Sequence, residues 1–294
     1  MLKNTVASII FFVFILTSCT SASSTSIPLP TVADFYRLHE IYHRKHLRLG
    51  VAPGPYGDMF VQTIFPHLKE LGYTLEVHEF NNFWEPNFAL ANNQTDLNMF
   101  QHHDFLINFN FEHNLDLSAI TEIPTLPMSL FSSVYRSLDD VGYGATIIVP
   151  NDATNLSRSL RILEFTGLIL LAPDVNRARA VVDDIIHNPL GLNFWLMYAE
   201  DIPSALPFAE LGIVNGNFII SYELDIDDAL HSEVLAENYL NVIAVRAEDL
   251  NQQFVMDIIN IVYGAEFREA ILDEDGGFFH FQMPRNFTRG VNQY

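Results

Sequence analysis

The chain has 294 residues with 49% apolar and 17% charged side chains, enough to bury one large or two modest cores and too apolar for wholesale disorder. Its formal net charge of −21 opposes phosphate backbones and anionic headgroups alike. That argues against a nucleic-acid partner and against charge-driven adsorption to a membrane.

The N-terminus offers another route to a membrane. Lys3 precedes the apolar run Val6 to Leu16. A spanning helix needs ~20 apolar residues, and this run is roughly half that, the length of a signal-peptide core. It ends in Leu16-Thr17-Ser18-Cys19, which resembles the bacterial lipobox. Residues 1–18 are therefore expected to be a signal peptide and Cys19 the lipidation site. Small residues before Cys19 admit the peptidase, the thiol takes diacylglycerol, and several acyl chains anchor stably where one does not. Cys19 is the only cysteine, so no intramolecular disulfide can form. The expected location is the cell membrane, lipid-anchored, facing the periplasm or the extracellular side.

Residues 19–46 are expected to be a lipidated tether and lead-in, rich in Ser, Thr, Ala and Pro up to Ala33. Within them His39-Glu40-Ile41-Tyr42-His43 matches the H-E-x-x-H zinc-protease pattern. On a helix the two histidines would share a face, with Glu40 as general base. A working site also needs a third ligand and a rigid, buried helix, and a segment between a tether and the first strand supplies neither. A zinc-dependent peptidase is thus the alternative from the enzyme class, and the main reading contains no catalytic residue, metal or cofactor.

The folded body begins at the strand signal Leu47 to Val51 and runs into the turn-rich Ala52 to Gly57. Phe60 to Leu71 has helical spacing and stops at Gly72, and Tyr73 to Phe80 reads as a strand. Ala145 to Val149 is a continuous apolar run, suited to a strand covered on both faces. Asn155 to Thr166 is helical, with Leu156, Leu160 and Leu163 on one stripe. Leu211 to Val214, Phe218 to Tyr222 and Leu240 to Val245 read as strands, and Val255 to Leu272 as one late helix. The alternation predicts an α/β architecture with mostly parallel sheets.

Three stretches carry residues suited to a small zwitterion. They are Phe80 to Asn87 with Asn98 to Phe105, then Pro150 to Arg158, then Val214 to Phe218. Arg158 lies opposite the leucine stripe of its helix, just after a strand end with Asn151, Asp152 and Thr154 as candidate N-caps. Ligands of open α/β sheets bind there, and a guanidinium can fork onto a carboxylate. From spacing alone, a solvated surface arginine fits as well. His102-His103-Asp104 could suggest a metal, but adjacent residues on a strand or helix point apart. Glu223, Asp225, Asp227 and Asp228 lack a calcium loop and read as a solvated connection.

Taken in order, these segments resemble the MetQ/NlpA family of methionine-binding lipoproteins: a lipobox, Phe-Asn-x-Tyr-x-x-Pro-Asn, Phe-Gln-His, Pro-Asn-Asp-x-Thr-Asn-x-x-Arg and a late Asn-Gly-Asn. The resemblance implies a two-lobed periplasmic-binding-protein fold of type II with the ligand between the lobes. Lobe 1 would comprise residues 47–130 with 223–294, and lobe 2 residues 131–222. It further implies that Arg158 holds a ligand carboxylate and Asn215 its polar backbone end. Phe83, Phe100 and His102 would enclose the side chain, with Phe105 and Phe131 at further pocket positions and Asn155 orienting Arg158. The implied function is the substrate-binding subunit of an ABC importer, a monomer that delivers methionine to a permease and its ATPase. Positions 83, 105 and 131 carry Phe where the family usually has Tyr. The drier pocket still suits a thioether, whose S···aromatic contacts contribute ~0.3–1.5 kcal/mol each, and would also suit another apolar amino acid or a Met-containing dipeptide.

Overall fold

A computed structural model of the chain describes residues 45–278 and 280–288. The expected signal peptide, Cys19, the expected tether up to residue 44 and the His39–His43 motif lie outside the described residues. Among the described residues no helix is long and apolar enough to cross a membrane.

Among the described residues, twelve short strands form two five-stranded sheets and a small ladder. The first sheet contains β1 (His46–Val51), β2 (Thr74–Glu79), β3 (Leu97–His102) and β4 (Leu117–Glu122). The second contains β5 (Ser129–Ser132) and β6 (Thr146–Pro150); β7 (Leu170–Leu171) and β8 (Ile185–His187) pair only with each other. The chain continues through β9 (Asn193–Met197), β10 (Leu211–Val214) and β11 (His231–Ser232) of the second sheet, then returns to the first as β12 (Asn241–Arg246). The orders are β2-β1-β3-β12-β4 and β11-β5-β10-β6-β9. This is the two-lobed α/β architecture expected from the resemblance.

The sheets are mixed rather than mostly parallel. In the first, β1 is parallel to β2 and β3, whereas β12 runs antiparallel to both neighbours. In the second, β6 is parallel to β9 and β10, while β5 is antiparallel to β10 and β11. The reason is the double crossing. A strand that re-enters a sheet from the other lobe need not follow the right-handed crossover that keeps neighbours parallel. The crossings span residues 123–128 and 233–240, so the expected division at 130/131 falls inside β5 and the expected return at 222/223 precedes β11.

The first helix, α1, runs from Tyr56–Met59 through a π turn at Phe60–Ile64 into Phe65–Glu70. Pro66 explains the π turn: it has no N–H to give Gln62, and its ring would press on that carbonyl, so the preceding turn widens. Phe60, Ile64 and Leu68 stay on one buried stripe against Leu47, Leu49, Ile243 and Val245. The next helices are α2 (Glu85–Ala91), α3 (His103–His113), α4 (Ala153–Phe165) and α5 (Ile202–Ala205). The leucine stripe of α4 packs with Ile147, Val149, Leu211 and Ile213 to form the second core.

Two local expectations change. Phe218 to Tyr222 is not a strand but part of α6 (Gly216–Ser221). A short apolar run fits either element, and here the N–H groups of Phe218 and Ile219 donate to the Asn215 carbonyl, starting a helical turn. The late helix divides into α7 (Gln253–Val262) and α8 (Ala265–Leu272), because Gly264 takes an extended conformation as the N-cap of the second. The acidic residues 223, 225, 227 and 228 are exposed.

Arg246, the last residue of β12, anchors the first lobe. Its Nη1 donates to the carbonyls of Leu90 and Thr95 at 2.8 and 2.6 Å. Its Nη2 lies against Asp249 and 3.6 Å from Asp96, and Asp96 in turn accepts from the backbone and guanidinium of Arg48.

Candidate binding site

A small, narrow cavity lies between the sheets. Phe83, Phe100, His102 and Phe105 reach it from the first lobe, and Asn155, Arg158, Asn215 and Gly216 from the second. The outgoing crossing adds Thr125 and Leu126. Most of these positions sit at strand ends or on the helices that follow, the place open α/β sheets reserve for ligands.

One end of the cavity is aromatic. Phe83 stacks on Phe218 at a centroid distance of 5.0 Å and lies 6.0 Å from both Phe100 and Phe105. The loop that carries Phe83 is held from behind. Asn82 Oδ1 accepts from the N–H groups of Trp84 and Glu85, both at 2.9 Å. Buried Asn87 and Gln101 exchange two amide hydrogen bonds of 2.6 and 2.8 Å, and Asn98 donates to Asn87 and to the Pro86 carbonyl. The Pro-Asn and Phe-Gln-His segments are thus partly scaffold: they fix the aromatic wall to the end of β3.

The other end is polar and hydrogen-bonded in a chain. Asp152 caps α4, accepting from the Asn155 N–H at 2.9 Å, from Thr154 Oγ1 and from Asn155 Nδ2. Burial pushes the Asp152 carboxyl up from its ordinary value, and the same hydrogen bonds oppose that rise. With its amide thereby oriented, Asn155 turns Oδ1 toward His102 Nε2 at 3.2 Å and Asn215 Nδ2 at 2.9 Å. His102 Nδ1 accepts from the Phe105 N–H, so its proton resides on Nε2. Burial, then the charge of Arg158, lowers the His102 pKa to about 3, and the ring is neutral at physiological pH. Asn215 Oδ1 is buried with no hydrogen-bond partner among the described residues. Gly216 follows because α6 meets the outgoing crossing closely: a Cβ there would lie 2.5 Å from Leu126 Cβ and 2.7 Å from its carbonyl oxygen.

Arg158 is buried, 4% exposed, rather than a surface residue. Its Nε donates to Glu233 Oε1 and Oε2 at 2.8 and 3.1 Å, and its Nη2 also donates to Glu233. The Tyr239 ring lies 4.8 Å from the guanidinium carbon. Nη1 makes no hydrogen bond to protein among the described residues, and the residue borders two cavities. The residue that orients Arg158 is therefore Glu233, not Asn155, whose amide is committed to Asp152, His102 and Asn215.

Seven of the eight expected pocket residues line the cavity together. Phe131 does not: it lies on β5, in the apolar cluster that also contains Phe83, Phe100 and Phe105. Besides Thr125 and Leu126, four contributors escaped sequence reasoning. Asn241 lines the cavity and donates to the Phe100 carbonyl at 3.2 Å, and an Asn opening the apolar run Val242 to Val245 was a visible signal. Tyr56, whose hydroxyl accepts from the Leu126 N–H at 3.2 Å, could have been found from the strand end before it. Glu233 and Tyr239, 75 and more residues from Arg158 in sequence, had no local signal.

The model of the family described as NlpA lipoprotein matches residues 47–280. A probable D-methionine-binding lipoprotein MetQ of Vibrio cholerae is 30% identical over 72% of this chain and 78% of its own length. A methionine-binding lipoprotein MetQ of Bacillus subtilis is likewise 30% identical, over 78% and 85%. Among solved structures, a nutrient-binding protein from Burkholderia cenocepacia bound to methionine superposes with a TM-score of 0.74 at 28% identity, covering 79% of this chain and 98% of that one.

Proposed function

The chain belongs to the NlpA lipoprotein family, and on that premise we propose that it is the substrate-binding lipoprotein of an ABC importer. It binds methionine, or a closely related apolar amino acid, between its lobes and delivers it to a permease whose partner ATPase powers transport. No bond is made or broken on this chain.

The observation that carries the reading is the polarity of one small cavity. Arg158 and Asn215, whose Oδ1 has no partner among the described residues, line it together with Phe83, Phe100 and Phe105. The arginine forks toward a carboxylate, the amide oxygen accepts from an ammonium, and the rings receive an unbranched apolar side chain. Neutral His102 adds no charge to repel the ammonium. Lobe closure takes the carboxylate–guanidinium pair out of water, which strengthens it. Lobe 1 corresponds to the first sheet with its helices and lobe 2 to the second. Cys19, as a diacylglyceryl thioether, holds the acidic body at the membrane surface through residues 20–46.

The test is calorimetry with L-methionine, D-methionine, leucine, phenylalanine and a methionine-containing dipeptide, combined with mass spectrometry of any compound released on denaturation. One-to-one binding led by a methionine enantiomer is expected. Binding of the dipeptide with no response to free amino acids would replace this reading with peptide import.

A further inference from the structure

Arg158 does not meet the cleft as a bare cation. Glu233 takes both its Nε and Nη2, and the Met128 N–H donates to the same carboxylate at 2.8 Å. The pair is shielded from solvent, with side-chain exposures of 5% for Arg158 and 10% for Glu233. Glu233 opens the return crossing and Met128 closes the outgoing one, so both connections between the lobes hold this carboxylate in place.

The consequence is a matter of charge. The positive charge that meets the ligand carboxylate already has its counter-ion inside the protein. His102 contributes none, and Asp152 behind Asn155 is a second carboxyl rather than a second cation. A zwitterion leaves the cleft balanced, with its ammonium facing Asn215 Oδ1. A ligand whose only charge is a carboxylate brings an uncompensated negative charge into a water-poor site, where such charge is costly.

We propose that Glu233 is a specificity-determining residue that makes the cleft select ligands of zero net charge, so that free amino acids are bound and their hydroxy-acid and oxo-acid counterparts are rejected. This rests on the amino-acid reading above. It assigns the discrimination to the balance of the Arg158–Glu233 pair, in addition to any single hydrogen bond to the ammonium.

The test compares L-methionine with its hydroxy-acid analogue, in which a hydroxyl replaces the ammonium. The hydroxyl can still donate to Asn215, so the comparison isolates charge. Calorimetry on the wild-type protein should show methionine favoured by about 10-fold or more. Glu233→Gln keeps an oxygen for Arg158 and for the Met128 N–H but removes the charge, and should shrink that preference at least about threefold. Glu233→Asp, which keeps the charge, should retain the wild-type preference even where both affinities fall.

A wild-type preference below about 10-fold overturns the proposal, and that measurement decides even where a variant does not fold. Equal losses for both ligands in Glu233→Gln also overturn it, leaving Glu233 as a support for Arg158. If neither compound binds the wild-type protein, the amino-acid reading itself fails and takes this inference with it.

Discussion

Arg158 and Arg246 are buried to nearly the same depth, 4% and 6% exposed, and each lies against carboxylates. Their surroundings differ in one respect. Arg246 Nη1 is spent on the carbonyls of Leu90 and Thr95, and its Nη2 faces Asp96 and Asp249, so its hydrogen-bonding edges turn toward protein. Arg158 is held on one edge by Glu233 and below by Tyr239, while its Nη1 makes no hydrogen bond to protein among the described residues. Arg246, with Nη1 spent on two carbonyls and Nη2 in ion pairs, ties β12 to the loop before β3, whereas Arg158 keeps Nη1 without a protein hydrogen bond among the described residues. Burial depth does not distinguish these roles, whereas the inventory of donors does.

The largest effects should separate the two arginines. Arg246→Ala leaves Asp96 and Asp249 without that cation and should lower unfolding stability by about 3–5 kcal/mol in denaturant titrations. Arg158→Ala should cost about 2–5 kcal/mol in methionine affinity by calorimetry. Its loss of stability should be smaller, because among the described residues Arg158 pairs with Glu233 alone, whereas Arg246 faces Asp96 and Asp249 and also holds two carbonyls. Equal destabilisation by the two substitutions would erase the distinction.

Asn215→Ala sharpens the comparison inside the cleft. It removes the free Oδ1 acceptor and one of two bonds to Asn155 Oδ1, so about 1–3 kcal/mol of affinity should be lost with a small change in melting temperature. A melting point that falls as far as in Arg246→Ala would place Asn215 among the structural residues.

The third effect is in pH. His102 is depressed to about 3 in the folded protein, chiefly by burial, against about 6.5 when unfolded. Between those values the unfolded chain binds a proton that the native chain refuses. The contribution is therefore complete above about pH 6.5 and is lost as pH falls toward 3. Moving from pH 7 to pH 5 should remove about 2 kcal/mol of stability through this residue alone. His102→Gln should show a correspondingly shallower acid slope, and an unchanged slope would show that His102 protonates freely in the native state.

Much of the fold was legible because its signals are local. The burial of Thr146–Pro150 on both faces and the leucine stripe of α4 follow from period and composition. The α6 helix was not legible, since Phe218 to Tyr222 suits either element and the choice rests on how Asn215 and Gly216 meet Leu126. Sheet direction was not legible either. Whether β12 runs parallel or antiparallel to β3 depends on the chain having left the lobe and returned, which periodicity does not record.

The same division runs through the site. The sequence carried the candidate pocket's chemical kinds, a guanidinium, carboxamides and phenylalanines, through the order of motifs that resembles the family, because motif order is a one-dimensional fact. Only the tertiary structure decided what each of them does. It left Phe131 out of the cavity lining, assigned Asn155 to His102 and Asn215, and brought Glu233 from the return crossing onto Arg158. Hydrogen bonds and ion pairs act over a few ångströms of space, and partners 75 residues apart in the chain meet only once both lobes and both crossings have formed.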